Sequence, residues 1–494
     1  MKRIVNFARR ASATFALCAA MAIASPAQTL TTINTFCGTG CPDGLTDPLT
    51  VLAQGANGNF YGTAGGGVYG YGAVFEITPA GTLTILHSFC SQGPQNFCPD
   101  GADPMAGLVL ATNGSFYGTT EAGGAYGYGT VFKMTPKGEL TTLYSFCAQR
   151  GCTDGANPEA ALVQATNGDL YGTTVEGGTG GGGTVFKITP AGTLTTLYGF
   201  CAQSGCSDGE NPYAGLVQAT NGDLYGTTFS GGDGYSGTIF KITLQGALTT
   251  LYRFGSYSGA DGYLPYGGLV QAANGDLYGT TSQGGAYPGY GTVFKMTPKG
   301  EFTPLYSFCT QNECTDGAIP YAGLVLGTDG NLYGTTYYGG VNSTSCDLGY
   351  PGCGTVFRIT TKGTLTTLYS FCSQPGCADG FYPYEGLMQG TDGSFYGTTL
   401  GGNGTIFALN VGLGPFVETV PTSGKVGGKV TILGTDLTGA TSVSFNGIPA
   451  TAFTVNSTSS AITTTVPVGA TSGTVQVVTS SGTLSSNVPF RVLP

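Results

Sequence analysis

The chain has 494 residues, with 87 Gly, 29 Tyr, 27 Phe and no Trp; 40% are hydrophobic and 9% charged. That length exceeds one ordinary core, and the apolar share excludes a disordered Gly-rich chain. A net charge of -10, with 17 Lys and Arg that form no cluster, excludes a nucleic-acid partner, whose phosphates need grouped bases.

Residues 1–27 predict an export signal. Lys2, Arg3, Arg9 and Arg10 make a basic start, Ala13 to Ala24 is a short apolar run, and small residues follow for cleavage after Ala24 or Ala27. The run is too short to span a bilayer, and no later stretch is long and apolar enough, so a soluble mature protein is expected.

Next comes Leu30 to Cys37, LTTINTFC, which matches the end of a repeating unit rather than its beginning. The unit is clearest over Leu162 to Phe200. Its Tyr-Gly-Thr core starts at Tyr61, Tyr117, Tyr171, Tyr225, Tyr278, Tyr333 and Tyr396. A long fixed period means one supersecondary unit that buries its apolar face against the next copy.

Each unit reads as four short strands. Strand a is the LVQA-like segment, and Asn167-Gly168 or its equivalent makes a tight hairpin to strand b, DLYGTT. A Gly-rich loop leads to strand c, TVFKIT, and a Pro-x-Gly turn leads to strand d, LTTLYGF. The last unit ends at Thr405 to Asn410 without a strand d, and the first strand of the chain is a strand d without a unit. Seven four-stranded sheets closed by the N-terminal strand give a seven-bladed β-propeller over residues 28–412, with no open edge at the seam. The alternation of strand direction puts b–c and d–a loops on one face, and a–b hairpins and c–d turns on the other.

From residue 413 to 494 Cys disappears and short alternating strands follow, among them KVTILG, SVSFNG and TVQVVT. This predicts a small immunoglobulin-like β-sandwich. The fold class is therefore all-β throughout.

The repeats, at the NG-x-LYGTT, GTVFKIT and LTTLYSF segments, resemble the GloVer tandem-repeat family of exported bacterial proteins. The resemblance implies export and leaves the biochemical role open. The tail, with PTSGKVGGKVTILGTDL from Pro421, SVSFNGIPA from Ser442 and VPVGATSG from Val466, resembles an IPT/TIG domain. That resemblance implies a spacer or binding module.

Leaving out Cys18, the cysteines fall into close pairs: Cys37 and Cys41, Cys90 and Cys98, Cys147 and Cys152, Cys201 and Cys206, Cys309 and Cys314, Cys346 and Cys353, Cys372 and Cys377. Paired loss of both partners in the loop from Gly255 and an exported chain argue for local disulfides rather than zinc, for which His is lacking. Aspartates recur before Gly in the same loops, at Asp43, Asp100, Asp154, Asp208, Asp261, Asp316 and Asp379. One carboxylate per blade is too few for Ca²⁺, so turn-forming roles are expected and no metal or cofactor.

The candidate ligand-binding residues are Tyr69, Tyr71, Tyr126, Tyr128, Tyr235, Tyr287, Tyr290, Tyr337 and Tyr338 of the b–c loops, with Tyr213, Tyr263, Tyr266, Tyr321, Tyr382 and Tyr384 in neighbouring d–a loops. Tyrosine presents rigid amphipathic surface suited to protein or glycan contact. Catalytic signals are poor. His87 is the sole His and stands where other copies have a strand-d Tyr, which leaves no His-based triad. The expectation is a monomeric, secreted or periplasmic, non-catalytic protein that presents this face to a glycan or an envelope protein. The alternative is a polysaccharide-degrading enzyme using the loop carboxylates Glu121 and Glu176.

Overall fold

The computed structural model describes residues 28–36, 44–91, 98–255, 259–286, 289–342, 346 and 352–493. The predicted signal at 1–27, the Cys37 and Cys41 pair, Asp43 and Tyr287 lie outside the described residues.

Seven antiparallel sheets form the propeller. In the third blade they run Val163–Gln164, Leu170–Thr174, Thr184–Ile188 and Leu194–Gly199 in hydrogen-bonded order. The seam is closed by the first strand: Thr29–Thr35 pairs antiparallel with Thr405–Asn410, completing the blade of Phe395–Thr399 and Met388–Gln389. The first blade carries one extra short strand, Leu45–Thr46, beside Phe60–Gly66.

The repeated words in the sequence are the contacts that hold this ring together. In every copy of LYGTT the first Thr donates its hydroxyl to a carbonyl in the next blade, at 2.8–3.4 Å, from Thr63 to Ala106 round to Thr398 and Thr50. The second Thr bonds the first Thr of strand c, as Thr174 does Thr184 at 2.8 Å. The Gly before the two Thr has no room for a side chain: a Cβ on Gly118 would lie 2.6 Å from the Phe132 ring. The Tyr is fully buried and its hydroxyl is held by the hairpin Asn or Asp, as in Asn113 to Tyr117 at 2.7 Å.

A second latch joins each blade to the next. The Gly that opens strand c (Gly72, Gly129, Gly183, Gly237, Gly291, Gly354 and Gly404) has a positive φ and faces a Pro of the following blade. A Cβ there would meet that ring at 2.2–2.8 Å. The Pro residues are Pro104, Pro158, Pro212, Pro265, Pro320, Pro383 and, across the seam, Pro48.

The d–a loops are organised on the recurrent aspartates. Asp208 is fully buried and accepts bonds from the Tyr198 hydroxyl at 2.8 Å and from the amides of Ala202 and Gln203 at 3.0 and 3.2 Å. Asp154, Asp316 and Asp379 repeat the pattern. His87 takes the Tyr place in the first blade, with Nε2 3.0 Å from Asp100. Among the described residues six disulfides staple these or neighbouring loops: Cys90–Cys98, Cys147–Cys152, Cys201–Cys206, Cys309–Cys314, Cys346–Cys353 and Cys372–Cys377. The strand-c lysines meet hairpin aspartates, Lys187 with Asp169 and Lys241 with Asp223 at 3.9 Å, and Lys295 with Asp276 at 3.7 Å.

The C-terminal sandwich packs two four-stranded sheets over a core of Val417, Ile432, Val443, Phe445, Ile462, Val475 and Phe490. It seats against a–b hairpins at the seam. Asn456 and Ser460 donate to the Ala56 carbonyl at 2.6 and 2.7 Å, and the Phe416 amide donates to Thr391. Glu418, Val420, Leu433 and Asn487 of the sandwich line one cavity with strand-a residues Gln54, Val109, Leu326 and Gln389. The sandwich thus floors the central channel at its hairpin end. No helix among the described residues is long and apolar enough to cross a membrane.

Candidate functional site in the mouth of the central channel

The opposite end of the channel holds a cavity of about 340 Å³, built from one stretch of each blade. The chain enters it through a kink. The residue before each latch Pro has a positive φ in all seven blades: Asp47, Asp103, Asn157, Asn211, Leu264, Ile319 and Tyr382, at 40–58°. Asn and Asp tolerate that conformation, but β-branched Ile319 and bulky Leu264 and Tyr382 do not, at a cost of about 1–3 kcal/mol each. The kink and the Pro send the following residue to the channel.

That residue is Leu49, Met105, Glu159, Tyr213, Tyr266, Tyr321 or Tyr384 in blade order, and all seven line the cavity. The next position is small in six blades (Thr50, Ala106, Ala160, Ala214, Gly267, Ala322) and is Glu385 in the last. At Gly267 neighbouring backbones nearly touch: a Cβ there would lie 2.4 Å from the Gly323 amide nitrogen. A ring of one repeated position therefore carries unlike residues: apolar in two blades, acidic in one and aromatic in four.

The aromatic side is continuous. Tyr213 and Tyr266 stack with centroids 5.0 Å apart, Tyr266 meets Tyr321 and Tyr384 at 5.7 and 5.8 Å, and Tyr321 meets Tyr384 at 5.0 Å. Phe229 joins at Tyr213, and Tyr337 joins at Tyr321, extending through Tyr338 and Tyr382. Such edge-to-face and offset pairs fix ring orientation by their quadrupoles.

The acidic side faces it. Burial first, then the charges of Glu121 and Glu176, pushes the Glu159 carboxyl up to about 7. Glu121 is raised by burial, then by Asp103 and Glu176. Burial likewise holds Glu385 at about 7, against a bond from the Gly386 amide. The Tyr213 phenol is raised by burial and then by Glu159, Glu176 and Glu121, so both sides of the mouth share one electrostatic field. Tyr266 is raised by burial, then by Tyr384, Glu159 and Glu385.

The loop tyrosines named from sequence separate into two groups. Tyr337 and Tyr338 belong to the channel cluster. Tyr69, Tyr126, Tyr128 and Tyr235 stand exposed on loop tips away from it, and Tyr71 and Tyr290 pack partly buried against inter-blade core. The d–a tyrosines Tyr213, Tyr266, Tyr321, Tyr382 and Tyr384 form the rest of the cluster, while Tyr263 is buried beside Gly284. Glu159 and Glu385 escaped the sequence reading. Their signal was available as two exceptions in a repeat: Glu where four other copies have Tyr, and Glu where the other six have a small residue. Glu121 and Glu176 share one electrostatic field with Glu159.

Fold and mouth together define a seven-bladed propeller with a floored channel and an aromatic-and-acidic opening. The chain belongs to the Gloeobacter/Verrucomicrobia repeat family, whose model matches residues 19–207 and 202–405, and it carries an IPT/TIG domain over residues 416–492. No curated protein matches it. Among solved structures, a fungal alcohol oxidase of the AA5 family in complex with copper is similar at a TM-score of 0.50 and 13% identity, covering 94% of this chain and 99% of that one. The periplasmic gluconolactonase of Pseudomonas aeruginosa scores 0.40 at 15% identity, covering 68% of this chain and 90% of its own. A nutrient binding protein from Bacteroides ovatus scores 0.42 at 14%, covering 78% and 76%. The likeness to the oxidase is one of fold alone.

Proposed function

We propose that this is an exported, non-catalytic binding protein that takes a glycan in the channel mouth, with the IPT/TIG domain as floor and spacer. The observation that carries this reading is the ring position itself. Its flanking Pro and latch Gly are the same in seven blades, yet its own residue differs, and four successive tyrosines face the one Glu. Scaffold alone asks for sevenfold sameness; a broken ring suits an asymmetric ligand. Stacked tyrosines offer flat faces to sugar rings, and carboxyls offer acceptors to hydroxyls. The disulfides agree with an oxidising compartment outside the cytoplasm.

A glycan array probed with the mature chain tests this. Tyr213→Ala at the mouth is expected to abolish the retained signals, and Tyr126→Ala on a loop tip to leave them intact. Binding lost only with Tyr126→Ala would move the site to the loop tips, and an array without signals would remove the glycan.

One observation favours a second reading. A Glu159 poised at about 7 beside Glu121 and Glu176 is the pairing that glycoside hydrolysis uses, with one carboxyl kept protonated as acid. Release of reducing ends from a bound polysaccharide, abolished by Glu159→Gln or Glu176→Gln, would replace binding with turnover.

A further inference from the structure

Several acidic groups elsewhere in the propeller are matched. Asp169, Asp223 and Asp276 meet lysines, and the buried loop aspartates accept hydroxyl and amide bonds. The channel mouth is the contrast. Glu159 and Glu385 line the cavity, the charges of Glu121 and Glu176 act on Glu159 and that of Asp103 on Glu121, and among the described residues no Lys, Arg or His lines the cavity. Burial works against both lining carboxylates in the folded chain, and at Glu159 the charges of Glu121 and Glu176 add repulsion. A neutral sugar leaves that repulsion in place and an acidic sugar adds to it. A positive group removes it.

The kind of positive group follows from spacing and from the opposite wall. Among the described residues, no three of these carboxylates bring oxygens within 4.8 Å of one another, so they do not converge as a shell for a hard metal ion. An organic cation held between separated carboxylates fits better. Across the cavity, Tyr213, Tyr266, Tyr321 and Tyr384 present the π-faces and phenol oxygens that favour an ammonium group on an apolar frame. Resting on the glycan-binding reading above, we infer that the sugar admitted to this mouth carries a protonated amine, so that the ligand is a cationic amino glycan.

The groups sharing the field of Glu159 are Glu121 and Glu176 from two b–c loops and Tyr213, Tyr266 and Tyr384 from d–a loops; Glu385 shares the field of Tyr266 and Tyr384. An ammonium group entering among them draws the proton off Glu159 or Glu385. Binding therefore releases protons, which calorimetry reads as a heat that depends on the buffer's own ionisation enthalpy.

The test is calorimetry of the mature chain with the glucosamine tetramer and the N-acetylglucosamine tetramer, each in phosphate and in Bis-Tris at mildly acid pH, where the amines already carry their protons and Glu159 still holds its own. The expected result is binding of the free-amine tetramer, at least about tenfold weaker binding of the acetylated one, and buffer-dependent heat. Glu159→Gln, which keeps the shape of the wall, is expected to weaken the free-amine tetramer about tenfold or more. Equal or stronger binding of the acetylated tetramer would overturn the cationic inference while leaving a glycan-binding protein. Full affinity in both Glu159→Gln and Glu385→Gln would place the amine elsewhere and overturn it too. Competition by Ca²⁺ alone would make the site one for a metal ion. Failure of both tetramers, together with an empty glycan array, would remove the underlying reading as well.

Discussion

Replacing Asp208 by Ala removes the acceptor at the centre of one d–a loop. Three donors lose it: the Tyr198 hydroxyl at 2.8 Å and the amides of Ala202 and Gln203 at 3.0 and 3.2 Å. Bonds to a charged acceptor contribute about 1.5–3 kcal/mol each, but Ala202 and Gln203 are exposed residues whose amides water can reach in the variant. Taking about 1 kcal/mol for each of the three gives a local loss of about 3 kcal/mol. A repeat array need not unfold as one unit, so the assay should report on the loop rather than the whole chain. Amide hydrogen exchange followed by mass spectrometry over peptides spanning residues 199–213 does so. Exchange there should accelerate about a hundredfold, with the Cys201–Cys206 bond intact and distant blades unchanged. Tyr198→Phe, which removes one donor and keeps the acceptor, should accelerate exchange only about fivefold. Unaltered exchange in Asp208→Ala would refute the keystone role. Protection that depends on added Ca²⁺ in the natural chain and is lost with a chelator would make the aspartate ring a cation site instead.

Two glycines of one loop separate conformational cost from collision. Gly183→Ala places a Cβ 2.3 Å from the Thr174 carbonyl and 2.8 Å from Pro212, at φ +95°, whereas Gly181→Ala, at φ +80°, meets nothing. Denaturant unfolding should show a loss of about 3 kcal/mol or more for Gly183→Ala and about 1 kcal/mol for Gly181→Ala. Intact-mass measurement of the mature protein after alkylation without reduction should find no free thiol, the Cys37 and Cys41 pair included; a dozen alkylated cysteines would refute the pairing. Glu159 and Glu385 have folded-state values near 7, above the ordinary 4.5, so the folded chain holds protons that the unfolded chain releases. The stability they contribute is fully present below pH about 4.5 and is lost as the pH rises through about 7. Glu159→Gln should therefore raise the thermal midpoint at mildly alkaline pH and leave it nearly unchanged at acid pH, and the opposite sign would refute the burial of that carboxyl.

The architecture was legible because it is written seven times. LYGTT and GTVF contain residues explained by a neighbour in the next strand or blade: Thr for the inter-blade bond, Gly under the Phe ring, Gly against the Pro. Repetition turns such contacts into text, and the displaced strand at Leu30 marks the seam without any coordinates. Local disulfides were legible for the same reason, since their partners are close in sequence.

What the text leaves undecided is which variable residue faces which. Tyr126 and Tyr213 look alike as loop tyrosines, yet one stands on an exposed tip and the other in the channel, because the positive-φ residue and Pro before Tyr213 turn it inward. Glu121, Glu159 and Glu176 come from different loops and share one electrostatic field only through the radial arrangement of blades. The same holds for the floor: nothing in residues 413–494 announces that Glu418 and Leu433 close the hairpin end of the channel. The sequence alone determined the blade, its count and its closure, because those depend on contacts that recur with the period. Only the tertiary structure decided the mouth, because it is made where the repeats differ and where the ring brings the differences together.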